Sequence, residues 1–154
     1  MDSPNPTPLL KYKKPFNFKQ MLSFMKPRAM AGVEVVTDTQ YARTFRIHKT
    51  KGFFIVRDSP EQSALALEIG SSDIKCYMEI VNRVRRMFDL DTDFTAINSK
   101  FAKDTQLSKG MDRGQVPRLP IAFHPFEFVV RAILGQQISV KAATTLASRI
   151  AKKA

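Results

Sequence analysis

Behind Asn17 the apolar residues Met21, Leu22, Phe24 and Met25 recur at helical spacing. The short amide of Asn17 suits an N-cap, and Pro27 and Gly32 end the run. The period then changes from helical to two. Tyr41, Arg43, Phe45 and Ile47 alternate with Ala42, Thr44 and Arg46, Gly52 turns the chain into Phe53 to Arg57, and Leu65, Leu67 and Ile69 follow Ser59-Pro60. These runs predict antiparallel strands. After the turn and cap signal at residues 70–73, Tyr77, Ile80, Val81, Val84 and Phe88 form a helical stripe against a polar face of Glu79, Asn82, Arg83, Arg85 and Arg86. That helix should lie on one face of the sheet, and its three arginines read as a solvated face.

From Leu90 onward the strand pattern disappears. Asp91-Thr92-Asp93 forms an acidic joint, residues 110–120 read as a connecting loop, and Pro125 opens a last pair of helices. Phe126, Val129, Val130, Ile133 and Leu134 mark the first of these, and Gly135 loosens the backbone past it. Ser139 can cap the second, with its apolar face of Ala143, Leu146, Ala147 and Ile150. Between them Gln136-Gln137-Ile138 occupies a polar elbow. Two adjacent amide side chains carry donors and acceptors suited to base edges, although glutamines also serve as ordinary solvent-facing helix formers.

Charge adds a partner class. The 154 residues carry 25 Lys and Arg against 14 Asp and Glu, a formal net charge of +11 that favours polyanions. The excess is uneven, at +4 over residues 1–94 and +7 over residues 95–154, so a phosphate backbone is expected at the C-terminal part. No apolar run approaches the roughly 20 residues of a membrane span, and the proline-rich start lacks the plan of a signal peptide. The expected compartment is therefore the cytoplasm, in association with the nucleoid, with no membrane partner.

Few residues suggest catalysis. The single cysteine, Cys76, with only His48 and His124, builds no metal-ligand pattern, so neither metal nor cofactor is expected. Asp91 and Asp93 flank a helix end, where capping explains them better than acid–base chemistry. His124, before Pro125, reads as a local hydrogen-bonding residue. The phosphate-cradling and nucleophile-elbow motifs are absent from the sequence.

Two blocks, residues 12–45 and residues 124–150, joined by the MFDLDTDFTAI run (87–97) and RLP (118–120), resemble the N-terminal portion of the 3-methyladenine DNA glycosylase II family. The run Arg131-Ala-Ile-Leu-Gly-Gln-Gln-Ile-Ser139 is similar to the helix-hairpin-helix glycosylase superfamily at large. Phe18 stands where a Trp is usual and His124 where an Asp is usual. The resemblance implies an α+β fold: an antiparallel sheet with helices on one face, similar to one half of the TATA-binding protein, followed by an incomplete all-helical glycosylase domain. The implied division is a disordered lead over residues 1–11, an N-terminal domain over 12–94 and the start of the helical domain over 95–154.

The implied activity is excision of alkylated bases from double-stranded DNA after the damaged nucleotide is flipped out. Gln136 would lie beside the base pocket, Gln137 would wedge into the gap, and Ser139 would complete the base-flipping site. Lys141 and Arg131 would be phosphate contacts. The family's glycine-rich hairpin and catalytic aspartate are expected downstream of Ala154, so no catalytic residue is assigned here and the chain alone is expected to be inactive. Self-association through the C-terminal helices is a further expectation. The competing class is a non-enzymatic nucleic-acid or protein-binding module derived from that family.

Overall fold

A computed structural model describes residues 7–71 and 73–153. Five antiparallel strands, β1 (Leu9–Lys11), β2 (Glu34–Val36), β3 (Gln40–Ile47), β4 (Thr50–Ser59) and β5 (Ala64–Ser71), form one sheet in the order β1-β5-β4-β3-β2. Helix α1 (Phe18–Met25) begins where expected, with Asn17 accepting from the Gln20 amide at 3.0 Å. Helix α2 (Tyr77–Met87) carries the predicted stripe, and α3 (Thr95–Lys103), α4 (Pro125–Leu134) and α5 (Val140–Ala151) complete the chain. Among the described residues no strand follows Ser71.

The alternation in β3, β4 and β5 decides which face is covered. Tyr41, Phe45, Ile47, Phe54, Val56, Leu65, Leu67 and Ile69 all point to one side and join Met21, Leu22, Ile80, Val84 and Phe88 in a single core. The Phe88 ring meets Phe18 at 5.6 Å and the edge of Tyr41 at 5.8 Å. Each such fully buried side chain contributes roughly 1.5–3 kcal/mol. The core does not stop at the acidic joint, because Phe123 is 4% exposed and its ring lies 5.1 Å from Phe54.

Two expectations are corrected. The lead was expected to be disordered through residue 11, but Leu9–Lys11 pairs with β5, placing Leu10 opposite Leu65 and burying it; residues 1–6 lie outside the described ones. Gly52 was expected to turn the chain, yet the tight turn is His48-Lys49, where His48 adopts φ 53°. Gly52 sits inside β4 for a packing reason: a Cβ there would lie 2.4 Å from the Gly70 carbonyl oxygen and 2.7 Å from Cζ of Phe45.

Arg118 closes this unit from the loop before α4. Its side chain is 3% exposed, and Nη2 donates to the carbonyls of Lys13 at 2.8 Å, Thr92 at 3.0 Å and Pro15 at 3.1 Å, while Nη1 donates to the carbonyl of Asp89. The guanidinium also lies 4.2 Å from the Phe94 ring centroid. One planar fork thus ties the approach to α1, the end of α2 and the joint to α3. Replacing it by alanine strands buried carbonyls, so Arg118→Ala should lower stability by about 3–5 kcal/mol, with Arg118→Lys recovering only part. Urea unfolding measures this; a loss below about 1 kcal/mol contradicts the tether.

Candidate nucleic-acid interface

Helix α4 starts at Pro125, whose missing N–H costs nothing at the first helical position, and Gly135 ends it. The chain then turns at Gln136 and Gln137, the latter at φ 62°, a left-handed conformation that a glutamine adopts at some cost. Ser139 caps α5 as expected, its Oγ accepting from the Ala142 amide at 3.2 Å. Gln136, Gln137, Ser139 and Lys141 are all exposed, and the elbow therefore projects polar groups into solvent.

A cluster of buried charge holds the elbow to the sheet. Arg43, on the covered face of β3, has a side chain 3% exposed. Its Nη2 donates to both carboxylate oxygens of Glu127 in α4, at 2.7 and 2.9 Å, and Nη1 lies 3.8 Å from Glu34 of β2. Glu34 in turn accepts from the Tyr41 hydroxyl at 2.7 Å, from the Met30 amide at 3.0 Å and from Arg131. Burial pushes the Tyr41 phenol far above its ordinary value, and the Glu34 carboxylate adds to the effect, so the phenol remains a donor. The opposite end of the helix pair is fixed by Ser148, whose Oγ accepts from the Ala31 amide at 3.1 Å.

The sequence placed some of these residues differently. Arg131, read as a phosphate contact, donates inward to Glu34 and to the Arg28 carbonyl at 3.0 Å. Arg83, read as part of a solvated face, pairs with Glu79 and lies 5.3 Å from the Phe123 ring. His124 makes no local side-chain hydrogen bond at Nδ1, which is buried without a partner among the described residues; its backbone carbonyl accepts from Phe128 instead. Capping was expected of Asp91 and Asp93, but the N-cap of α3 is Phe94: Asp91 pairs with Arg85, and Asp93 accepts from the Thr95 amide one residue ahead of the cap, with hydrogen bonds from the Thr95 side chain and backbone lowering its carboxyl below the ordinary value. Glu34 and Glu127 went unnoticed. The one signal was Arg43 itself, an arginine in phase with Tyr41, Phe45 and Ile47.

Between the helix pair, α1 and the sheet lies a cavity of about 390 Å³. Phe24, Met25, Phe123, Phe128, Ile138 and Ala147 give it apolar walls, and the cluster from Glu34 to Arg131 forms its charged side. The outer faces of the helices stay wet, with Phe126 70%, Ile133 62% and Ile150 50% exposed.

Fold and site together define an α+β domain, a five-stranded antiparallel sheet with its helices gathered on one face. The chain belongs to the family described as the AlkA N-terminal domain, whose model matches residues 7–124. It is 33% identical over 141 residues to a Mycobacterium tuberculosis protein described as "Probable bifunctional transcriptional activator/DNA repair enzyme AlkA", covering 92% of this chain and 28% of that one. It is 29% identical over 143 residues to DNA-3-methyladenine glycosylase 2 of Escherichia coli, covering 93% of this chain and 49% of that one. The fold matches that of a 3-methyladenine DNA-glycosylase from Archaeoglobus fulgidus with a TM-score of 0.77 at 17% identity, over 96% of this chain and 50% of that one. The chain thus spans half or less of these relatives. Among the described residues no helix is long and apolar enough to cross a membrane.

The ion pair that docks α4 can be tested directly. Glu127→Leu leaves Arg43 buried beside apolar walls and should cost about 2–3 kcal/mol, and Arg43→Leu should cost a similar amount. The double substitution should cost less than the two singles added, with a coupling above about 1 kcal/mol in a denaturation cycle. Strict additivity would show that the two groups do not interact.

Proposed function

We propose that this chain supplies the N-terminal, DNA-facing region of a base-excision repair glycosylase that removes alkylated bases of the 3-methyladenine type. The observation that carries the reading is the exposed Gln136-Gln137 elbow, held rigidly to a family-defining domain by the Arg43–Glu127 pair. A wedge must keep its position when the base it displaces pulls back toward its stack, and the pairing of Glu127 with a buried arginine, whose Nη2 donates to both carboxylate oxygens, provides that resistance. In this reading Gln137 enters the gap left by the flipped nucleotide and bonds to the orphaned base, while Gln136 and Ser139 line the entrance. Lys141, exposed two positions beyond the Ser139 cap, meets a phosphate. Arg131 is already committed to Glu34 and acts there by positioning α4.

Alkylation at a ring nitrogen makes the base cationic and a better leaving group. The enzyme must then stabilise the positive charge developing on the sugar with a carboxylate and direct water to it. The acids of residues 95–154 are otherwise engaged: Asp104 accepts from the amides of Gln106 and Leu107, Asp112 accepts from Asn17, and Glu127 is held by Arg43. The reading therefore assigns the reacting carboxylate to a part of the enzyme outside this chain. The cytoplasm and the nucleoid are the matching location.

The test is a chimera. In it, this chain replaces the matching half of the Escherichia coli relative. The chimera should release 3-methyladenine from alkylated duplex DNA, and the chain alone should not. Gln137→Ala in the chimera should lower release about tenfold or more and reduce the fluorescence gain of a 2-aminopurine placed beside the lesion. Release by the isolated chain at the chimera's rate would sink the assignment, as would an unchanged Gln137→Ala chimera.

The wet apolar stripe on α4 and α5 carries the second part of the proposal. Large aliphatic and aromatic side chains left in water forgo roughly 1.5–3 kcal/mol each, and contiguous patches of this kind mark contact surfaces. For the isolated chain we expect reversible self-association through these helices. Sedimentation should show a concentration-dependent dimer that Ile133→Lys with Ile150→Lys abolishes; a monomer at all concentrations contradicts it.

A further inference from the structure

The helices leave one whole face of the sheet uncovered. Side chains on that face come from the positions in β1, β4 and β5 that alternate with the core, and from the same phase of β2 and β3. Apart from Ala64 at a strand end, none of them is buried: Lys51, Phe53, Arg57, Thr44, Arg46, Glu68, Val35, Leu9 and Lys11 are exposed, and Ala42, Ile55, Ala66 and Gly70 are half-buried. A bare sheet face is ordinary when its residues are small and polar. This one has an aromatic ring near its middle.

Phe53 lies across the neighbouring strand. Its registered partner in β5 is Gly70, and a Cβ on that glycine would fall 2.3 Å from Cε1 and 2.4 Å from Cζ of the ring. The ring therefore occupies the space that a side chain at Gly70 would need, and Phe53 is 46% exposed. An aromatic ring across from a glycine stabilises the strand pair, and here it also leaves a large apolar side chain in solvent between cations. An exposed aromatic ring on an open sheet face is a surface on which an unstacked base can rest.

Charge on the same face selects the ligand. Four basic residues, Lys11, Arg46, Lys51 and Arg57, stand against Glu68 alone. Glu68 is paired with Arg57 at 2.9 Å, which also donates to Gln40. Arg46 and Lys51 face each other across β3 and β4 and make no side-chain hydrogen bond or ion pair among the described residues. Lys51 is the next position on the same face as Phe53, about 6.8 Å along the strand, so a base on the ring leaves its phosphate near both cations. A duplex hides its base faces, whereas a single strand offers them.

We infer that this open face binds single-stranded nucleic acid, with one base stacked on Phe53 and the adjoining phosphates held by Arg46 and Lys51. The surface is on the opposite side of the sheet from the elbow, so it is separate from the proposed base-flipping site and does not depend on it.

Fluorescence anisotropy of a labelled oligothymidylate against the purified chain tests the inference. Phe53→Ala and Phe53→Leu should both weaken binding roughly five- to hundredfold, because each removes the π-face, and Phe53→Trp should retain it. Leucine keeps an apolar cover over Gly70, so a loss shared by both variants reports stacking and not unfolding. Arg46→Ala with Lys51→Ala should flatten the slope of log affinity against log salt by about 1.4, some 0.7 for each phosphate contact on a single strand. Lys103→Ala, exposed on α3, should leave oligothymidylate binding unchanged, and the elbow variants Gln137→Ala and Lys141→Ala should weaken it less than Phe53→Leu does. Wild-type affinity in Phe53→Leu, an unaltered salt slope in the double variant, or a loss confined to the elbow variants would each overturn the proposal.

Discussion

Burying one arginine on the apolar face of β3 constrains the whole molecule. An unpaired guanidinium inside a core is prohibitively costly, so Arg43 requires carboxylates from outside its own strand. Glu34 comes from β2 and Glu127 from α4, and each is acceptable there only because the other charges are present. Such a cluster is weak evidence for net stability, since apolar residues of the same shape can hold a fold as well. Its effect is geometric: α4 has one seating in which Glu127 reaches Arg43 and Arg131 reaches Glu34, and shifting the helix by one residue breaks both.

That geometry carries through to the elbow. Gln137 lies ten residues along the chain from Glu127, beyond a helix whose first turn is fixed by one ion pair and whose last turn is fixed by another. Ser148 then fixes α5 from its far side. Arg118 plays the same part within the first unit, with backbone carbonyls in place of carboxylates. In both places a planar multi-donor side chain joins several segments at one point, a task for which a flexible ammonium is poorly suited.

What could be read from the residues follows the range of the interactions involved. Asn17, Ser139 and Pro125 act within one helical turn, and each does locally what its position promised. The alternation of β3 to β5 was equally legible, because period two is a local property of a strand with one covered face. β1 was not, since three residues leave too short a pattern and its burial depends on pairing with Ala64, Leu65 and Ala66 far along the chain. Gly52 misled for the same reason: its cause is the Gly70 carbonyl and the Phe45 ring on the two neighbouring strands, not its own backbone. Arg131 and Arg83 looked like solvent-facing cations because their partners, Glu34 and the Phe123 ring, approach only through the tertiary fold.

The way α4 and α5 are attached has a consequence of its own. No side chain of α4 and only Ala147 of α5 is buried, so the helix pair is held to the sheet by charge and hydrogen bonds more than by apolar packing. Apolar burial is indifferent to direction and tolerates sliding; paired charges with fixed forks do not. The pair can therefore keep a defined orientation while its apolar outer faces and the cavity behind them stay open to a further surface. The relatives, of which this chain spans 28%, 49% and 50%, have the residues to supply one. Orientation set by polar contacts on one side leaves the apolar side free to gain stability from whatever packs against it, without disturbing where the elbow points.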